Sequence, residues 1–115
     1  MVTPLRFRRL RWTELLGVEF PVATTRLSRL LGLALLSHER AGAGLLIPRC
    51  SSVHTIGMLF HLDLLFLDPE GRVIDTRRNV PATRFVRCGA ADAVLELPAP
   101  SDQVVIWGGS SGLNP

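Results

Sequence analysis

The 115 residues contain no lysine and no tyrosine, and only 6% are aromatic. All 13 basic residues are therefore arginine, which fits the codon bias of a GC-rich genome and carries little chemistry by itself. Only two cysteines occur, Cys50 and Cys88, and neither a C-x-x-C nor an H-x-x-x-H pair is present. Zinc sites usually draw on such close pairs, so no metal and no cofactor is expected. No apolar stretch approaches the ~20 residues of a membrane-spanning helix. The longest candidate, Leu30 to Leu36, lies well inside the chain and lacks the charged flank and small-residue cleavage site of a signal peptide. These absences lead to the expectation of a soluble, cytoplasmic protein without a membrane partner, its two thiols reduced.

What is present suits a globular chain, with 47% hydrophobic and 20% charged residues. A length of 115 residues fits one domain, with a core over 18–107, a basic arm or edge strand over 1–14 and a tail over 108–115. The net charge of +3 comes from the front: residues 1–49 hold eight arginines against three glutamates, and 50–115 hold five against seven acids. Arg6, Arg8, Arg9 and Arg11 alternate with Phe7, Leu10 and Trp12. Such a cluster can bind nucleic acid or an anionic membrane by counterion release, but one short cluster falls short of a basic face. A solvated arm or edge strand is the preferred reading.

Along the chain, Val18–Ala23 reads as a strand and Thr24 or Thr25 as a helix N-cap. The spacing of Leu27, Leu30, Leu31, Ala34 and Leu35 predicts a helix over Arg26–Ser37, with Gly32 inside it either close-packed or tolerated. Leu45–Ile47 is a short strand stopped by Pro48. Val53–Leu67 reads as two strand segments joined at Gly57. Asp68-Pro69-Glu70-Gly71 is a turn signal, so Arg72–Asp75 returns as the second arm of a hairpin. Strands at Arg84–Arg87, Ala93–Leu97 and Val104–Trp107 complete the pattern. The fold class expected is mainly β with one or two helices (α+β), a compact β-barrel or sandwich of short strands with a helix packed against it.

Polar chemistry concentrates between Cys50 and Asp63. Cys50 and His54 are the candidate catalytic pair, since a nearby imidazolium lowers a thiol pKa and the base takes its proton. On a regular strand, however, residues four apart lie ~13 Å from each other, so the pair needs a turn. A metal would have to draw on Cys50, His54, His61, Asp63 and Cys88, and strand parity sets His54 opposite His61 and Asp63. Asp63, amid Leu62, Leu64, Leu65 and Phe66, must sit at a rim or be paired, with Arg72 or Arg84 as the partner. Thr55 and Ser52 can orient His54 or bond to nearby backbone. Met58 suits the core, and Glu96 suits the solvent face of its strand.

The blocks Ile47 to Met58, Asp63, Phe66-Leu67-Asp68, Gly71-Arg72-Val73 and Val94-Leu95-Glu96-Leu97-Pro98, with Arg26 to Leu33 ahead of them, resemble the bacterial and archaeal family of domains of unknown function numbered 192. The resemblance covers roughly residues 18–98. It implies a small, mainly β domain with the His54-Thr55 and Gly57-Met58 block near a surface groove, and it supplies no reaction. His61 stands where the family pattern tends to have proline, so it reads as an incidental replacement. After Leu97-Pro98, the short helix usual in the family is expected to be missing.

The leading functional reading is a noncatalytic module binding an unknown small ligand or protein partner. Its groove is lined by Cys50, His54, Thr55, Met58, Asp63 and Arg72. A thiol- or metal-dependent enzyme using Cys50 and His54 is the alternative. Nucleic-acid binding through the front arginines ranks behind both, and a monomer or weak homodimer is the expected state.

Overall fold

The computed structural model describes residues 3–100. The expected strand at Val104–Trp107, the tail over 108–115 and the missing C-terminal helix lie outside them. The fold is mainly β, and its frame is a four-stranded antiparallel sheet in the order β3 (Leu45–Pro48), β8 (Ala93–Pro98), β5 (Leu62–Leu67), β6 (Val73–Val80). Two antiparallel pairs accompany it: β1 (Trp12–Leu15) with β2 (Val18–Pro21), a hairpin, and β4 (Ser52–His54) with β7 (Phe85–Arg87). Among the described residues the main sheet does not close on itself, so the architecture is sandwich-like and not a barrel.

Strand parity sorts the core. On one face of the sheet Leu45, Ile47, Leu62, Leu64, Phe66 and Val94 pack against Phe7, Leu10, Leu33, Ala34, Leu36, Val53 and Met58. On the other, Leu67 and Leu95 pack with Phe20 and the half-buried Leu15, Leu46 and Leu65. The central strands β5 and β8 are thus apolar at both parities, the pattern of strands covered on both sides. The edge strand β6 is exposed along most of its length and carries Asp75, Arg77 and Arg78, charges that discourage pairing with another chain. At the opposite edge, Val22 forms a parallel bridge with Leu46, and Ala23 donates to the Leu46 carbonyl at 2.8 Å.

The turn at Asp68–Gly71 forms as expected. The Gly71 N–H reaches the Asp68 carbonyl, and Gly71 takes a φ of +82°. The bend at Gly57 also forms, again with a φ of +82°.

Two expectations fail at the front of the chain. The helix α1 covers only Arg26–Leu31, half the predicted span. It starts on Thr25, whose hydroxyl accepts from the Ser28 N–H while the Ser28 hydroxyl accepts from the Thr25 N–H, each at 3.1 Å. It stops at Gly32, which takes φ +53° and ψ −126°, a conformation open to glycine and strained for other residues. The apolar stripe is consequently not the buried face: Leu27 and Leu30 are 55% and 64% exposed, whereas Ser28 is buried. Leu33, Ala34 and Leu36 enter the core from the turns beyond Gly32, not by helical spacing.

The basic front segment is likewise no solvated arm at its start. Leu5–Phe7 forms one 3-10 turn, with Phe7 and Leu10 in the core. The Arg6 guanidinium donates to the carbonyls of Gly32 (3.2 Å) and Ala34 (2.6 Å). Further on, Trp12–Leu15 pairs with β2 and with no other strand among the described residues.

Candidate functional site

The polar groups converge behind α1. Arg29 on the helix donates to the carbonyls of Pro48 (2.6 Å) and Arg49 (3.2 Å), fastening the loop after β3 to the helix. That loop then turns through Arg49, which has a φ of +48°, and leads into β4 by way of Cys50. The result is a cavity of about 140 Å³ whose lining includes Arg29, Gly32, Cys50, Ser52, His54 and Glu96. It opens beside a wider groove of about 550 Å³ that shares Arg29, Leu30, Ile47, Cys50 and Ser52 and adds Arg26, Arg49 and Ser51.

Glu96 is the residue that sequence reasoning misplaced. Its parity puts it on the core face beside Leu45 and Leu64, its register partners on the two flanking strands. It is only 3% exposed. Expecting it on a solvent face treated β8 as half-buried, but β8 is the covered, central strand. One oxygen, Oε1, accepts from the Leu33 N–H at 3.3 Å. No second hydrogen bond to the carboxyl occurs among the described residues. Burial pushes the Glu96 pKa up to about 7, and the Leu33 N–H offsets this only in part. Gly32 explains how the carboxyl fits, because a Cβ there would lie 2.6 Å from Oε1. The sequence held one signal for this contact, a glycine interrupting a helical pattern.

The thiol and the imidazole line the same cavity but do not bond to each other among the described residues. The Cys50 S–H donates to the Ser52 carbonyl at 3.1 Å. His54 Nδ1 accepts from the Ile56 N–H at 3.3 Å, which leaves Nε2 carrying the proton in the neutral ring.

The other expected site residues sit elsewhere. Thr55 is fully buried, and its hydroxyl donates to the Pro81 carbonyl (2.8 Å) and accepts from the Arg84 N–H (2.7 Å). It therefore joins the end of β4 to the loop before β7 instead of facing a ligand. Met58 is a core residue. Asp63 is buried on β5, where it accepts from the Asn79 N–H at 2.9 Å and pairs with Arg78 at 3.6 Å. The expected partners, Arg72 and Arg84, are not used. Arg72 instead pairs with Asp68 and Glu70 at the exposed turn, because the tight turn brings those acids nearer than Asp63. His61 is exposed, and no group of three or more metal-ligating side chains occurs among the described residues.

The family model described as DUF192, Uncharacterized ACR, matches residues 11–103, well over half of the chain. The chain belongs to the DUF192 family. Among solved structures, it is similar to a protein of unknown function from Novosphingobium aromaticivorans DSM 12444, with a TM-score of 0.57 and 20% identity over 75% of this chain and 68% of the other. That likeness shows a shared fold. No curated protein matches the chain. In this DUF192 chain, helix α1, the loop after β3, β4, β7 and β8 all contribute to the cavity wall.

Proposed function

We propose that this DUF192 chain is a noncatalytic binding module whose ligand is a small molecule held in the cavity behind α1. One observation carries the reading: the Glu96 carboxyl lines the cavity, is buried on an apolar face, and has a single N–H donor. A buried carboxyl usually satisfies more of its hydrogen-bonding capacity than that, and a ligand reaching into the cavity supplies the missing partner. Of the residues first expected to line a groove, Cys50 and His54 remain at the site. Arg29, Ser52 and Glu96 join them.

The test is a titration followed by amide chemical shifts, using acetate, inorganic phosphate, acetamide and methylammonium as probes. At least one of them is expected to shift the amides of Gly32, Leu33, Ser52 and Val53, and Ser52→Phe, which narrows the opening, to suppress those shifts. Silence from all four probes at those amides would remove the reading.

The thiol-dependent alternative has one observation in its favour, that Cys50 and His54 line one cavity. It requires a thiolate, whereas the S–H here is committed to the Ser52 carbonyl. In a Cys88→Ser background, alkylation of Cys50 with an ordinary pH dependence that His54→Ala leaves unchanged would end that alternative. A thiol titrating well below ~8.5 only when His54 is present would revive it.

A further inference from the structure

The wider groove outside the cavity carries three cations and no acid. Arg26, Arg29 and Arg49 line it together with Leu30, Cys50 and Ser52. None of these arginines forms an ion pair among the described residues, whereas Arg72, Arg77 and Arg78 on the β5–β6 hairpin all do. Arg29 is held in place by two carbonyls, which take up part of its donor fork and leave its charge uncompensated. Arg26 and Arg49 are exposed and flank it. Other arginines of this chain are also unpaired, but these three share one concavity, and that concavity continues inward to a buried carboxyl. Three like charges around one depression repel each other unless an anion sits among them.

Resting on the binding-module reading, we infer that the groove is an anion subsite. The carboxylate or phosphate group of a small ligand is held by Arg26, Arg29 and Arg49, and the rest of the ligand passes Cys50 and Ser52 into the cavity that ends at Glu96. The guanidinium groups recognise the anionic end by charge-assisted, forked hydrogen bonds, and Glu96 meets the inner end. Glu96 in its neutral form, with Oε1 accepting from Leu33, has a hydroxyl to donate into the cavity. The Leu33 N–H and the apolar Leu45 and Leu64 of the flanking strands adjoin it, and Arg29 from α1 and Cys50 and His54 from the β4 segment line the same cavity. An anion therefore binds better when Glu96 is protonated.

The same four probes, titrated at constant ionic strength, test this. Acetate or inorganic phosphate is expected to shift the amides of Leu30 and of residues 50–53 at least tenfold more tightly than acetamide or methylammonium, and the tighter of the two anions tells a carboxylate ligand from a phosphate one. The double variant R26Q/R49Q alters only exposed side chains and is expected to weaken that binding tenfold or more, with the amide spectrum otherwise unchanged. Wild-type affinity for acetate, whose own charge is constant over this range, should fall severalfold between pH 6 and 8 on the titration of Glu96. Glu96→Gln should flatten that dependence. If acetamide or methylammonium binds the cavity as well as the anions do, and R26Q/R49Q changes nothing, the anion subsite is wrong while the binding module stands. If none of the probes binds, both fall.

Discussion

At the β5–β6 turn, Asp68 accepts from the N–H groups of Glu70 and Arg72 and pairs with the exposed Arg72 guanidinium at 3.0 Å. On β8, Glu96 accepts one N–H bond and is walled by leucines. The two carboxyls are consequently pushed in opposite directions. The Arg72 N–H and guanidinium hold Asp68 below the usual carboxylate range, and burial raises Glu96. Asp68 contributes stability above its ordinary pKa and loses it as pH falls. Glu96 works the other way: the folded state holds its proton more tightly than the unfolded chain, so stability is greatest in acid and declines as pH rises from 4.5 through about 7. The hairpin is arranged for local satisfaction of charge. The cavity keeps a polar group where folding alone gains little from it, which is the kind of place where function is sought.

The contrast can be broken most forcefully through pH. Urea unfolding between pH 5 and 8 should show wild type losing about 3 kcal/mol more than Glu96→Gln, which keeps an acceptor for Leu33 and removes the charge. Parallel curves would mean that Glu96 is ionised at little cost and that the cavity is wet. Next in size is Gly32→Ala, expected to cost about 2 kcal/mol because alanine meets both the +53° φ and the Glu96 oxygen. Gly42→Ala, at φ +66° with open space around it, should cost about half as much. Thr55→Val should then cost about 1.5 kcal/mol by orphaning the Arg84 N–H and the Pro81 carbonyl, with faster hydrogen exchange at the Arg84 amide. At the hairpin, Arg72→Ala should leave the urea midpoint at neutral pH unmoved, since its ion pairs are solvent-exposed. A clear shift there would erase the distinction between the two regions.

Local chemistry was the legible part of this fold. Asp68-Pro69-Glu70-Gly71 announced its turn, Gly57 its bend, and the pair Thr24-Thr25 the cap that Thr25 makes, because each acts through its own backbone or a neighbour's. The errors arose where a distant residue decides. The stripe from Leu27 to Leu35 reads as a helix until Gly32 meets Glu96, and Gly32, the one irregularity in the stripe, does not say which residue it meets. Glu96 reads as solvent-facing until β8 is known to lie between β3 and β5. Asp63 reads as either at a rim or paired, with Arg72 or Arg84 as the partner; that it is paired, and with Arg78, depends on how β6 runs beyond the turn. The site itself was half legible: the Cys50 to His54 segment supplies one wall, and α1 and β8 supply the others.

The order of strands across the sheet has a consequence for how the chain acquires its shape as it is made. Among the described residues β8 follows the other seven strands in sequence but lies between β3 and β5, and the bond from Leu33 to Glu96 spans 63 residues. A nascent chain that has emerged only as far as residue 92 can form the β5–β6 hairpin, but it has no central strand to unite that hairpin with β3. The apolar faces of Leu45, Ile47, Leu62 and Leu64 stay open until β8 arrives. β8 must therefore be made before the core closes, and chains stalled or cleaved ahead of it would expose sticky strand edges to one another.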